Sequence, residues 1–240
     1  MRIRNLHEWD VPTSRAVEFQ QSLRQKISLR DTLDLRRVRF IAGADVSYDK
    51  GDTTLYGAVV LVKLPEMEIA EQRWAKGTVT FPYIPGLLSF REAPILLKAF
   101  SLLERSPEAV IFDGQGIAHP RRFGLGSHVG LFLDLPSVGC AKTRLVGEHG
   151  RVGIKRGSFA WLTYQGKRVG TVVRTRASVK PVFVSPGHRV SIRAAMKLVL
   201  STCRGYRLPE PVRLAHQLVN RVRLEARRGS PLPPSFYNGS

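Results

Sequence analysis

Three extended runs joined by short turns constrain this chain more than any other feature: VRFIAGADVSYD (38–49), TLYGAVVLVKL (54–64) and IAEQRWAKGTVT (69–80). The joins DKGDT and PEME are too short for a crossover, so consecutive runs pair antiparallel as a meander. The pattern then changes. REAPILLKAFSLLER (91–105) sets Ile95, Leu96, Ala99, Leu102 and Leu103 at helical spacing, with Pro94 expected in the first turn. AVIFDG (109–114) is a short apolar run closed by Asp-Gly, as in a strand buried on both faces. A Gly-rich stretch leads into a helix near 124–133, and LPSVGCAKT (135–143) carries another buried strand. Meander, helix, strand, helix, strand is the element order of a ribonuclease-H-like α/β fold. It predicts a mixed sheet with flanking helices, in which the first strand and the strand at 109–112 are parallel neighbours.

The remaining segments fit around that body. Residues 12–28 read as an amphipathic helix carrying Val17, Leu23 and Ile27. Residues 156–176 read as a hairpin turning at Gln165-Gly166, and 179–192 as a strand followed by a helix to about Leu200. A last helix spans 209–228, with Pro at its entry. The Pro/Gly/Ser-rich GSPLPPSFYNGS (229–240) is expected to be a disordered tail, leaving one domain over 1–228. The opening MRIRNLHEWD lacks the apolar run of a signal peptide, and no apolar stretch approaches ~18 residues, so neither secretion nor membrane spanning is expected. Cys140 and Cys203 have no CxxC spacing. That fits a reducing cytoplasm without a zinc site or disulfide framework, though a single bridge between them stays open.

Charge narrows the partners. Against 38 Lys and Arg stand 19 Asp and Glu, a net charge of +19. A field of that sign attracts polyanions, and each phosphate it neutralises releases condensed counterions. Nucleic acid is the favoured partner; an anionic membrane or a functionally neutral basic surface are the weaker readings. From Arg168 onward the only acids are Glu210 and Glu225. The C-terminal third is therefore a phosphate-gripping flank, and the acids needed for chemistry lie upstream.

Three acids stand out there. Asp45 sits inside the apolar run IAGADVSYD, where a carboxylate is expensive to bury unless paired or bound to metal. Asp113 ends an apolar strand at its carboxyl edge, where α/β folds hold ligands. On adjacent strands these two would meet, and like charges that close need a cation or a shared proton. Glu92, opening the next helix, would supply a third oxygen, and an all-oxygen set suits Mg²⁺ or Mn²⁺. Each acid also has a plain structural explanation: Asp45 as a capping or turn residue, Asp113 as Asp-Gly punctuation, Glu92 as a helix N-terminal acid favoured by the dipole. The spacing Gly124-x-Gly126-x-x-x-Gly130 does not fit a dinucleotide loop, and Gly126 and Gly130 are read as letting the helix sit close to the site. His119, His128 and His149 lack zinc-ligand spacing.

The runs IAGADVSY (41–48), PYIPGLLSFRE (82–92), DGQGIAHPRRFGLGSHVG (113–130) and VGCAKTRL (138–145) closely resemble the endonuclease V family. SPGHRVS (185–191) and LPEPVRLAH (208–216) fit as well, so the resemblance spans about residues 10 to 225. It implies hydrolysis of the second phosphodiester bond 3′ to deoxyinosine, leaving 3′-hydroxyl and 5′-phosphate ends, with Mg²⁺ as cofactor and Mn²⁺ as a substitute. Carried over by motif, Asp45, Asp113 and Glu92 would hold the metal. His119 would stand beside metal and phosphate, and Lys142 would hold phosphate charge; His216, where relatives vary between acid and His, carries over only weakly. Pro82-Tyr83-Ile84-Pro85 would be a stiff wedge inserted beside the lesion. Gly86, Leu88, Gly114 and Gly116 would line the pocket for the extruded base. The implied partner is double- or single-stranded DNA containing deoxyinosine, with inosine RNA as the alternative substrate and a non-catalytic nucleic-acid-binding module as the alternative outside catalysis. A cytoplasmic monomer without membrane contact is the simplest expectation.

Overall fold

The meander forms as the pattern predicts. In the computed structural model, which describes residues 1–237, β1 (Phe40–Ser47), β2 (Thr54–Lys63) and β3 (Glu68–Thr78) pair antiparallel in succession. β4 (Ala109–Phe112) lies parallel beside β1, with Ala44 opposite Phe112, and β5 (Ser137–Ala141) lies parallel beside β4. β6 (Phe159–Tyr164) and β7 (Lys167–Val173) form the hairpin. Gln165 and Gly166 both take positive φ at its turn, which matches the twist of the flanking strands. β8 (Val182–His188) runs antiparallel between β7 and β5. With β9 (Phe236–Tyr237) the sheet order is β6-β7-β8-β5-β4-β1-β2-β3-β9, a mixed α/β architecture.

Helices cover both faces of the central strands, which is why β1 and β4 are apolar without alternation. They are α1 (Thr13–Leu23), α2 (Leu88–Ser101), α3 (Leu125–Leu133), α4 (Ile192–Ser201) and α5 (Glu210–Arg228). Ile41, Val60 and Ile111 pack with Val212, Ala215 and Val219 of α5. Ala42, Ala44 and Phe112 pack on the other side with Ala93, Leu96 and Phe100 of α2 and Val129 of α3. Strand alternation therefore sends residues 41, 43 and 45 toward α5. At Gly43 the approach is closest: an added Cβ would overlap the Pro211 carbonyl and stand 2.5 Å from the Val212 nitrogen. Helix α5 is thus seated on bare backbone two residues before Asp45.

Two elements differ from expectation. Helix α2 begins at Leu88, so Pro94 lies in its interior and not in its first turn. Pro94 offers no N–H to the Phe90 carbonyl. The helix nevertheless continues, because Phe90, Ala93, Leu96, Leu97 and Phe100 bury a continuous face. Glu92 consequently falls in the second turn, buried, and does not open the helix. At the other end of the chain, the segment after α5 lies along the edge of β3, where the sequence suggests disorder. Gln72 Nε2 donates to the Pro234 carbonyl at 2.6 Å, Trp74 Nε1 donates to Pro233 at 3.0 Å, and β9 pairs with Glu71 and Gln72. An uncovered β3 would present a row of unpaired backbone groups, and this segment satisfies part of that row. Residues 238–240 of that segment lie outside the described residues. Cys140 and Cys203 are both buried and unbridged.

Replacing Gly43 by Ala forces backbone against backbone, which no rotamer change relieves. Gly43→Ala should cost roughly 2–3 kcal/mol or more and lower the thermal midpoint by about 5 °C or more, measured by differential scanning calorimetry. An unchanged midpoint would show that α5 stands further from β1 than described.

Candidate active site

Parallel strands that start in register also end together. Asp45 lies near the end of β1, Asp113 follows β4 directly and Lys142 follows β5 directly, so all three reach the same carboxyl-terminal edge. The Asp113 N–H donates to the Ala44 carbonyl at 3.2 Å, which ties the two aspartates' backbones together. Helix α5 adds His216, whose Nδ1 lies 2.7 Å from Asp45 Oδ2. One ligand atom each from Asp45, Asp113 and His216 lie within 4.8 Å of one another. One turn further along α5, the Asn220 amide donates to the His216 carbonyl at 2.8 Å. Asn220 Oδ1 accepts from the Ser47 hydroxyl at 2.9 Å, and Arg223 Nε donates to the same Ser47 oxygen at 2.8 Å. This network locks the register of α5 against the end of β1 and so holds His216 at Asp45.

The electrostatics report strain among the acids. Burial, reinforced by Asp45 and then Asp113, pushes the Glu92 carboxyl up to about 8. Burial and the charge of Asp45 also push Asp113 up, opposed by its hydrogen bond from Lys142 and by His216. Lys142 donates to Asp113 Oδ2. The hydrogen bond to Asp45 raises His216, against its partial burial. A divalent cation would relieve all of these at once. Two carboxylates and an imidazole converging on one point are a fitting donor set for it.

Beside the carboxylates lies a cavity of about 450 Å³, bordered by Asp113, Gly114 and Lys142 on one side and by Tyr83, Ile84, Pro85, Gly86 and Leu88 on the other. Tyr83 is 64% exposed at the tip of this loop. The loop's base is fixed by Phe81 and Leu87, buried with Phe90 and Ala16. Gly86 takes φ +80°, and its carbonyl accepts from Gln20 Nε2 at 3.1 Å and from the Arg121 guanidinium. His119 is buried against the same carbonyl, and its Nδ1 accepts the Arg121 N–H at 3.2 Å. Burial, with Arg121 alongside, pushes His119 down to about 4, so it is a neutral ring at neutral pH.

Most residues singled out in the sequence therefore border one site, with these differences. Glu92, expected as a metal ligand, supplies no ligand atom to the group formed by Asp45, Asp113 and His216; His119, expected beside metal and phosphate, forms a wall of the cavity and braces Gly86. Gly116 is not among the residues that line the cavity. A Cβ there would overlap the Pro186 carbonyl, and its N–H donates to Ser185 Oγ at 2.8 Å. His216, carried only weakly from the sequence, is a full member of the ligand group. Gln20 and Arg121 were not singled out at all. A glutamine on the inward face of an otherwise apolar helix pattern is the one signal that pointed to the former.

The family profile described as Endonuclease V matches residues 21–217. The chain belongs to the endonuclease V family. Endonuclease V of Dehalococcoides mccartyi (strain CBDB1) is 46% identical over 216 residues, covering 90% of this chain and 96% of that protein. The crystal structure of endonuclease V from Streptomyces avermitilis is 37% identical with a TM-score of 0.87, covering 95% of this chain and 100% of that one. Endonuclease V of Ciona intestinalis is 25% identical with a TM-score of 0.78, covering 90% of this chain and 98% of that one. That protein was crystallised with a 24mer DNA containing an inosine followed by a ribo-adenosine.

The raised Glu92 value gives a signed pH test. A carboxyl whose folded value lies above its unfolded value destabilises the fold as pH rises from the unfolded value, near 4.5, through about 8. In metal-free protein at pH 8, Glu92→Gln should therefore raise the thermal midpoint by several degrees, with little change at pH 4.5. Equal midpoints at pH 8 would mean that neither burial nor the two aspartates raises the Glu92 carboxyl.

Proposed function

We propose that this endonuclease V hydrolyses DNA at deoxyinosine, cutting the second phosphodiester bond on the 3′ side and leaving 3′-hydroxyl and 5′-phosphate ends. The observation that carries the reading is the convergence of Asp45 and Asp113 beside a cavity entered under a Pro-flanked tyrosine loop. The Ciona relative bound to inosine-containing DNA supplies the substrate class.

Asp45 and Asp113 would hold Mg²⁺, or Mn²⁺ in its place, with His216 as a third ligand and Glu92 as a nearby carboxylate on the α2 side. A cation there supplies Lewis-acid charge to a phosphodiester undergoing in-line displacement. Lys142, at the edge of the pair, would neutralise phosphate charge next to the scissile bond. Tyr83 and Ile84 would enter the base stack, at a cost of a few kcal/mol that is smallest for a weak pair such as inosine's. The extruded base would occupy the cavity bounded by Gly86, Leu88 and Gly114. The basic surface would hold the flanking duplex, with binding that weakens steeply in salt. Among the described residues no helix is long and apolar enough to cross a membrane. A monomer acting in the cytoplasm is the simplest state for such an enzyme. The ribo-adenosine after inosine in the Ciona complex keeps inosine RNA as a second substrate.

Duplex DNA with a single deoxyinosine should be nicked in Mg²⁺ or Mn²⁺ and left intact in chelator, with an undamaged duplex uncut; inosine RNA run alongside ranks the second substrate. Replacing partners one step removed from a metal typically costs 10–100-fold. Asp45→Ala and Asp113→Asn should therefore lose at least about 100-fold in single-turnover rate on denaturing gels while still binding the duplex. Tyr83→Ala should lose preference for inosine over normal duplex more than it loses metal affinity. Wild-type protein that cuts neither inosine substrate with either metal would sink the reading.

A further inference from the structure

A buried hydrogen-bond chain reaches the cavity from the amino-terminal segment, and the chemistry above makes no use of it. His7 and His128 are both buried, with their Nε2 atoms 2.7 Å apart. His7 Nδ1 lies 2.6 Å from the Glu8 carbonyl oxygen, and His128 Nδ1 lies 2.9 Å from Ser89 Oγ. Rings of Trp9, Phe90 and Phe132 pack on both imidazoles, with Phe19 on His7 and Phe123 on His128. Two apolar side chains would fill such a place without the desolvation that two imidazoles suffer.

The direction of the chain follows from its far end. A carbonyl only accepts, so His7 carries its proton on Nδ1. Burial keeps both histidines below the ordinary value, so His7 is neutral and its Nε2 is a lone pair. His128 Nε2 must then donate to it, which leaves His128 Nδ1 as an acceptor. The Ser89 hydroxyl donates to that nitrogen. Its proton is turned inward, and only lone pairs remain for any other partner.

Ser89 lies in the first turn of α2, next to Leu88, and lines the cavity. We infer that Ser89 is a specificity-determining residue, its Oγ held as a pure acceptor by His128 and His7 so that it reads an N–H edge of the extruded base. The inference rests on the deoxyinosine reading above. Hypoxanthine carries a hydrogen on N1, where adenine carries a lone pair. A freely rotating hydroxyl would donate to adenine as readily as it accepts from hypoxanthine. A locked one pairs with hypoxanthine and meets adenine lone pair to lone pair, so the discrimination includes a repulsive part. His128 and His7 touch no base; they are positioning residues that act through Ser89.

The test is competition. Cleavage of a labelled inosine duplex in Mg²⁺ is inhibited with unlabelled duplexes carrying deoxyinosine or deoxyadenosine at one position, and the ratio of the two inhibition constants is compared among variants. One hydrogen bond of this kind is worth roughly a tenfold preference. Ser89→Ala should reduce the ratio by about that factor, chiefly by weakening the deoxyinosine duplex. His128→Leu should reduce it too, by freeing the hydroxyl to rotate, whereas His128→Asn, whose side-chain oxygen is an acceptor on the Ser89 side, should keep most of it. If His128→Leu fails to fold, Ser89→Ala decides alone. Equal weakening of both duplexes, or an unchanged ratio in Ser89→Ala, would overturn the inference while leaving the proposed function standing. A wild-type enzyme with no preference for deoxyinosine would overturn both.

Discussion

Two carboxylates brought to the ends of adjacent parallel strands repel one another, and the site is organised around that repulsion. The fold makes the contact unavoidable, because β1 and β4 are in register and the Asp113 N–H is bonded to the Ala44 carbonyl. Burial removes most of the water that would screen the charges. The surroundings respond with the groups in reach: the Lys142 ammonium on Asp113 and the His216 imidazole on Asp45. Glu92 has no such ion pair among the described residues and answers by holding its proton, with its value pushed up to about 8. Such an arrangement is costly in an empty site and favourable around a cation, which is the physical basis for reading it as a metal centre.

The candidate ligand group and the cavity wall are built from different parts of the chain. The ligand group comes from β1, the end of β4 and α5. The cavity wall comes from the loop before α2, braced at the Gly86 carbonyl by Gln20 of α1 and by Arg121, and buttressed by His119. The amino-terminal segment thus contributes nothing to the carboxylates, yet it reaches the cavity twice, through Gln20 and through the His7–His128 pair. That division explains why α1, which lends no ligand atom, carries a fully buried glutamine.

The sequence made the central architecture readable because its signals are local: apolar runs, their lengths and the short joins between them. Asp45 and Asp113 stand out for the same reason, as acids set into or ending apolar strands. What it could not convey depends on packing between distant segments. His216 meets Asp45 across 171 residues of chain, and only the seating of α5 on Gly43 brings them together. Glu92 reads as a helix-opening acid because Pro94 suggests a later start; the buried face of α2 overrides the proline and moves Glu92 into the interior. His119 stands out as a polar residue in a glycine-rich loop, but nothing local distinguishes a group beside the phosphate from a brace of the cavity wall. The segment after α5 has the composition of a disordered tail, and the open edge of β3 is what gives it a place.

The most direct test of the charge argument is a titration of the metal-free protein with Mn²⁺, followed by electron paramagnetic resonance of the free ion and with Mg²⁺ as competitor. The account predicts saturable Mn²⁺ binding that Mg²⁺ displaces and that Asp45→Asn or Asp113→Asn weakens by at least about tenfold. Equal Mn²⁺ affinity in wild type and both variants would contradict it, because the two carboxylates would then not be what holds the cation.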